Sequence, residues 1–343
     1  MNSFLLTEIP QDIYNAGFKA KNDICEALQP DMTLLQVRES FRFDKIPAFF
    51  RLLRQLRALP KGARLYIQCP IYSFFNEKFL PIICRTIQRR QLRTVLILHD
   101  VDSLRYPDRA ERLRPVERKL YALAERIIVH NDRMKAVLQE THAVPADKMV
   151  VLGIFDYRID VSPAGADGEF TRTVFVAGNL DPEKSGYIYR LGALADSMTV
   201  NLYGGHFAKE QASEALHYQG SFPPDKLPVH LQGNFGLIWD GPSVTECAGQ
   251  TGEYLRINNP HKTSLYLAAG FPVVIWSQAA LAPFIEENGL GLAVDSLEQL
   301  PALLEQLSPE TYRAMCARVR EFGVRLRTGA YIRAAIDRAE NNL

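Results

Sequence analysis

Short apolar runs alternate along the chain with longer stretches of helical period. Arg64 to Cys69, Thr94 to His99 and Arg126 to His130 have nearly uninterrupted apolar interiors. Such runs predict parallel strands covered by helices on both faces, and Pro115 to Glu125 and Asp132 to Thr141 have the length and pattern of crossover helices. Lys148 to Leu152 adds another strand. From Val161 to Gly168 the chain is small and polar with no apolar period, which predicts a linker. Beyond it the alternation restarts. Thr173 to Ala177, Thr199 to Tyr203, Phe235 to Trp239 and Val273 to Trp276 are predicted strands. Ser185 to Ala195, Pro224 to Leu231, Lys262 to Ala269 and Leu281 to Glu287 are predicted helices, with later ones at Leu297 to Leu307, Pro309 to Phe322 and Ala330 to Glu340. The fold class is therefore α/β, with two tandem, doubly wound, Rossmann-like domains over residues 1–160 and 161–327. Ligands of such folds bind beyond the carboxyl ends of the strands, so a cleft between the two domains is the expected site.

Polar and glycine clusters follow several of these strands. The segment from Asn258 to Trp276 is the most informative. Asn259 is placed to cap a helix, Pro260 suits the first helical position, and His261 and Lys262 fall in the first turn. Free N–H groups at such a helix start, joined by a lysine, suit a diphosphate, although a solvated Lys262 is the plainer alternative. Gly270 and Pro272 end that helix. Gly178-Asn179 follows a strand, and Lys184 beyond it supplies a second cation. Two cations would meet the charge that develops on a departing diphosphate without a metal. Ser221 and Phe222 offer backbone groups and a ring for a base, and Asp240 offers a carboxylate to a sugar hydroxyl or a cap to the next segment.

In the first half, His99 and Asp100 are the candidates for the base that takes a proton from an acceptor hydroxyl. Asp100 with Asp102 is also a possible divalent-metal pair, and Asp102 can simply cap a helix. Asp12 and Glu77 are the other carboxylates open to the base role. Asn15 and Gly17 open a helix that could line the acceptor side, with Gly17 allowing close backbone approach; the alternative is a helix start with Lys19 and Lys21 in solvent.

Composition narrows the classes. The chain has 343 residues, 47% of them hydrophobic, and 40 basic residues against 39 acidic ones leave a net charge of +1. No global field draws it to nucleic acid. Basic runs at Arg85 to Arg93 and Arg105 to Lys119 read as solvated helix faces, with contact to anionic lipid or to a charged acceptor as the alternative. Five scattered cysteines suggest neither a zinc site nor a disulfide framework. The amino terminus lacks a secretion pattern and no apolar run approaches the roughly 20 residues of a membrane span, so a cytoplasmic protein is expected, peripheral at most to the inner face of the membrane. A solute-binding protein, the other function for a two-domain α/β chain, is usually exported.

Taken together, Asn15-Ala16-Gly17, His99-Asp100-Val101, Gly153-Ile154-Phe155-Asp156, Gly178-Asn179, Gly236-Leu237-Ile238-Trp239 and, above all, Pro260-His261-Lys262 with Leu265 to Val273 resemble the bacterial glucosyltransferase 3-like and β-1,6-galactofuranosyltransferase-like families. These are glycosyltransferases of the two-Rossmann GT-B fold that use UDP-sugars. The resemblance implies Lys262 as the phosphate-binding lysine, Lys184 as the nearest match to a second cation, and Phe222 near the uracil. It also implies a closing helix, 328–343, that returns to the first domain, and a homo-oligomer. The implied reaction is transfer of galactofuranose or glucose from UDP to a hydroxyl of a glycan, lipid-linked glycan or glycoprotein, with inversion and with neither cofactor nor metal. A metal-dependent transferase using Asp100 and Asp102, or a noncatalytic UDP-binding subunit, are the alternatives.

Overall fold

A computed structural model describes residues 3–11, 16–40, 42–159 and 169–341. The predicted linker, Val161 to Gly168, and the candidates Asn15 and Asp12 lie outside these residues. The chain forms two compact units, Met1–Gly153 with Tyr331–Leu343, and Ile154–Ala330.

In the first unit six parallel strands run β1 (Ser3–Ile9), β2 (Thr33–Arg38), β3 (Arg64–Cys69), β4 (Arg93–Leu98), β5 (Arg126–Val129) and β6 (Met149–Val151). Their order across the sheet is β2-β1-β3-β4-β5-β6. Crossover helices Ala16–Leu28, Lys45–Ala58, Leu80–Arg89, Ala110–Leu123 and Asp132–His142 join them. The strand interiors are fully buried, among them Leu5, Leu6, Ile67, Val95, Ile97 and Ile127, as covered parallel strands require. Chain order reverses between β1 and β3, and the carboxyl ends of these two strands are where such sheets open a crevice.

The closing helix, Ala330–Asn341, belongs to this unit from Tyr331 onward. It buries Ile332, Ala335, Ile336 and Ala339, Arg338 donates to the Val151 carbonyl at 2.8 Å, and Glu340 accepts hydrogen bonds from Tyr66 and pairs with Arg64.

The second unit holds β7 (Thr173–Asn179), β8 (Thr199–Gly205), β9 (Leu216–Gly220), β10 (Phe235–Ile238), β11 (Val273–Trp276) and β12 (Gly291–Val294), ordered β12-β11-β10-β7-β8-β9 and again all parallel. This is the Rossmann order, with its switch point between β7 and β10. Ile154 to Tyr157 pack inside this unit: Ser264 Oγ donates to the Phe155 carbonyl at 2.7 Å, the Tyr157 amide to Leu326 at 3.1 Å and its hydroxyl to Pro224 at 3.1 Å.

One predicted element is corrected and one strand is added. The single helix expected over Ser185 to Ala195 is instead Pro182–Ser185, Tyr187–Arg190 and a 3₁₀ turn Leu191–Leu194, interrupted around Gly186, which lies tightly against Pro182 and Pro242. Residues Leu216 to Gly220 form edge strand β9, for which no strand was predicted. Among the described residues no helix is long and apolar enough to cross a membrane.

Candidate functional site

In the second unit the switch point gathers several of the predicted residues. β7 ends on Gly178 and Asn179, both exposed, in register with Gly204 and Gly205 of β8. A Cβ on Gly204 would sit 1.8 Å from the Gly178 carbonyl oxygen, so only glycine lets these two strand ends approach. Asn179 Oδ1 accepts from the Asp181 amide at 2.9 Å, and the Asn179 carbonyl accepts from Ser185 Oγ at 2.9 Å. The side chain thus folds the turn that begins the short helix bearing the exposed Lys184.

Asp240 follows the neighbouring strand β10 and meets Lys262 from helix His261–Ala268. Lys262 Nζ donates to the Trp239 carbonyl at 2.7 Å and lies 3.3 Å from Asp240 Oδ2, with both side chains about four-fifths covered (20% and 18% exposed). A partly desolvated ammonium is therefore held at the carboxyl end of β10, beside the end of β7, at a helix start. That combination suits a phosphate oxygen.

The local fold explains why Lys262 points there. The helix is fixed by Tyr266, whose ring lies across Gly236 of β10 and whose hydroxyl accepts from the Ala177 amide at 2.8 Å and donates to the Ala177 carbonyl at 3.3 Å. Lys262 stands one helical turn before Tyr266 on the same face, so anchoring the one aims the other. The predicted capping is corrected by one residue: Pro260, not Asn259, occupies the cap position, with no side-chain cap, and Asn259 is buried. Pro260 itself offers the first-turn amides no side-chain acceptor. The His261 ring packs against Tyr157 and Phe155, at centroid distances of 4.9 and 6.0 Å.

Ser221 and Phe222 lie elsewhere in the unit, just after edge strand β9 and three strand positions from β10. Ser221 is exposed, and the half-buried Phe222 ring stacks on His230 at 4.0 Å between centroids.

The first unit contains a pocket of about 730 Å³ beyond the carboxyl ends of β3 and β4. Cys69, Pro70, Tyr72, Phe79, Asp100, Asp102, Arg112 and Glu117 are among its walls. Asp100 is engaged by Arg105, whose Nη1 donates to Oδ2 at 2.9 Å. Asp102 starts helix Asp102–Arg105 without capping it. Its buried Oδ1 has no hydrogen-bond partner among the described residues, and burial, with Asp100 and Glu117 nearby, pushes its carboxyl up to about 6. His99 is half-buried, its Nε2 2.7 Å from Gln68 Oε1.

Gly17 is exposed in the first turn of helix Ala16–Leu28. Lys19 and Lys21 are not in solvent: both are buried. Lys19 pairs with Asp23, and Lys21 Nζ donates to the Pro70 carbonyl at 2.6 Å. Burial lowers the Lys21 pKa, against the pull of Glu8 and other nearby acids.

Buried polar groups at the β1/β3 switch point form a layer beneath this pocket that pattern reading passed over. Glu8 accepts from the Tyr72 and Ser73 amides at 2.7 and 2.9 Å, fixing the loop after β3, and Gln68 Nε2 donates to the Lys21 carbonyl at 3.1 Å. The available signal was an ionisable or amide side chain inside an apolar run, as in Phe4-Leu5-Leu6-Thr7-Glu8-Ile9 and Leu65-Tyr66-Ile67-Gln68. Ser103, His142 and Glu117 resemble a hydrolytic triad in composition only. Glu117 Oε2 and Ser103 Oγ approach the same ring nitrogen, His142 Nε2, at 2.9 and 3.1 Å, whereas a relay needs opposite nitrogens. Burial opposes ionisation of Glu117, but hydrogen bonds from His142 and Ser103 outweigh it and hold its carboxyl below the usual range. The three groups anchor the segment that carries Asp102.

The chain matches two family models, the glucosyltransferase 3-like N-terminal domain over residues 3–154 and the glucosyltransferase 3-like C-terminal domain over residues 174–339. It is similar to the β-1,6-galactofuranosyltransferase WbbI of Escherichia coli (strain K12), 34% identical over 258 residues covering 74% of this chain and 73% of that protein. Glucosyltransferase 3 of Streptococcus gordonii is 28% identical over 247 residues, 70% of this chain and 69% of that one. Among solved structures, WaaG, a glycosyltransferase involved in lipopolysaccharide biosynthesis, superposes with a TM-score of 0.60 at 12% identity, over 97% of this chain and 98% of that chain. With both domain models matched in order and one all-parallel sheet under each, the chain belongs to the glucosyltransferase 3-like family of glycosyltransferases, which have the GT-B fold.

Proposed function

We propose that the chain transfers a hexosyl group, galactofuranose or glucose, from a UDP-sugar to a hydroxyl of a glycan, lipid-linked glycan or glycoprotein, with inversion and without a metal. The observation that carries this is the Lys262 ammonium held between the Trp239 carbonyl and Asp240 at the β7/β10 switch point. In the reaction the acceptor oxygen bonds to the anomeric carbon as that carbon's bond to the β-phosphate oxygen breaks, and the departing electron pair resides on UDP. Lys262 exchanges Asp240 for that oxygen, assisted by the first-turn amides and by Lys184, while Gly178 and Asn179 let the phosphates approach the backbone. Asp240, once released, accepts from a donor-sugar hydroxyl. Ser221 and Phe222 remain the proposed base contacts.

For the proton on the acceptor hydroxyl we assign Asp102 ahead of Asp100 and His99. Asp100 is occupied by Arg105 and His99 by Gln68, whereas Asp102 presents a carboxyl that titrates at about 6 to the pocket. A base with a pKa near the working pH is the effective kind. The galactofuranose alternative draws on the relative at 34% identity, the glucose alternative on those named glucosyltransferase 3.

UDP release from a panel of UDP-sugars, with and without acceptors and a chelator, tests the assignment. Lys262→Ala is expected to reduce turnover by about two to three orders of magnitude and to weaken UDP binding by calorimetry. Wild-type turnover and UDP affinity in this variant would overturn the phosphate role, and loss of activity with chelator would overturn the metal-free mechanism.

A further inference from the structure

The first unit exposes apolar side chains where a covered crossover helix would ordinarily be polar. Phe43 is 93% exposed, Phe50 60% and Ile46 52%. Phe43 lies in the turn leading into helix Lys45–Ala58, and positions 43, 46, 50, 54 and 57 recur at intervals of three and four residues. They therefore form one stripe, apolar at its start and continued by the exposed Arg54 and Arg57, with Arg51 at its flank. The opposite face, including Phe49, Leu52, Leu53 and Leu56, is buried in the core.

Helix Leu80–Arg89 packs beside it and repeats the pattern, exposing Ile82, Arg85 and Arg89 at the same spacing. Neither helix contains an acidic residue; the exposed acids nearest in sequence are Asp44 and Glu77. Arg51, Arg54 and Arg57 make no ion pair among the described residues. In a chain whose charges otherwise nearly cancel, cations are segregated here around aromatic side chains.

We infer that this two-helix face docks on an anionic lipid surface, with Phe43, Ile46 and Phe50 entering the interface and the arginines meeting lipid phosphates. Basic helices with exposed aromatic and aliphatic residues bind such surfaces by combining apolar burial with charge attraction. A second copy of the chain is disfavoured as occupant, because a two-fold contact uses the same patch on both copies and these two helices offer no acidic residue to meet the partner's arginines. A soluble polyanion would leave the phenylalanines in water. Ile46 and Lys45 also line the 730 Å³ pocket, so docking by this face would hold that pocket at the lipid surface. The inference does not depend on the donor sugar or the catalytic base.

The test is co-sedimentation of the full chain with phosphatidylglycerol-containing vesicles and with pure phosphatidylcholine vesicles, alongside UDP binding and light-scattering mass. Binding is expected to the anionic vesicles only, to weaken with salt, and to fall by about tenfold or more in both Phe43→Ser/Phe50→Ser and Arg54→Gln/Arg57→Gln, with UDP affinity unchanged. No binding by the wild type, equal binding to both vesicles, or variants that retain binding would overturn it. So would variants that change the oligomeric mass, which would make this face a contact between copies. Unchanged amide-exchange protection in β1, β3 and β4 shows that a variant's first unit is folded, and absent UDP binding by the wild type would count against the glycosyl-transfer proposal, not this one.

Discussion

At the scale of a single side chain, the carboxyl of Asp102, the proposed base, links protonation to folding stability. Its carboxyl rises from an ordinary 3.8 to about 6, chiefly through burial, so the folded chain binds more protons than the unfolded one between those values. Stability from this group is therefore present at low pH and is lost as pH rises through about 6, the reverse of a salt-bridged carboxylate. Asp102→Asn, which needs no ionisation, is expected to be more stable than wild type at pH 7 by on the order of 1 to 3 kcal/mol and to lose that advantage below pH ~4, read from denaturant midpoints at the two pH values. Wild-type turnover is expected to fall as pH drops through about 6, and the same substitution to remove most activity. Equal stability of the two proteins at both pH values would reject the perturbed carboxyl. Acid loss of turnover persisting unchanged in Asp102→Asn would assign the proton transfer to another group.

At the scale of elements, β10 and helix His261–Ala268 show how one contact places a functional group. A Cβ on Gly236 would lie 2.2 Å from Tyr266 Cδ2, so the absence of a side chain there lets the ring cross the strand and reach Ala177. Gly236→Ala is expected to cost about 1 to 3 kcal/mol, measured as a lowered denaturant midpoint, because the ring must move in a fully packed core. UDP affinity should fall with it, since Lys262 rides on the same helix. Tyr266→Phe keeps the ring but strands the Ala177 amide, with an expected loss of about 1 to 3 kcal/mol. Should Gly236→Ala match wild type in both midpoint and affinity, the helix is not positioned by this contact.

For the whole molecule, connectivity is the deciding fact. The chain enters the second unit after Gly153 and returns with the final helix, whose buried residues and Glu340 contacts belong to the first unit. A protein ending at Thr328 is therefore expected to lose amide-exchange protection in β3 and β6 of the first unit while the second keeps its own. Equal loss in the two units, or none, would contradict that division.

Much of the fold was legible because covered parallel strands must be apolar throughout: β3, β4, β5, β7, β8, β10 and β11 announce themselves in runs such as Arg64 to Cys69 and Phe235 to Trp239. The strands that escaped notice have other chemistry. β2 and β9 lie at sheet edges, where half-exposed sequences such as Thr33–Arg38 and Leu216–Gly220 carry little apolar signal, β12 is an edge strand of only 4 residues, and the interior strand β1 carries the buried Glu8 next to its last residue. Lys262 was readable because proline, lysine and glycine around a short helix have local conformational meanings. Its pairing with Asp240, the burial of Lys21, and the separation of an occupied Asp100 from an unpartnered Asp102 oxygen were not. Those properties arise when residues distant in sequence share a desolvated volume. The sequence by itself determined the alternation of strand and helix, hence the two doubly wound sheets and the lysine at a helix start. Only the tertiary structure decided which charges are neutralised and which face the pocket, because desolvation and pairing depend on neighbours that no local pattern specifies.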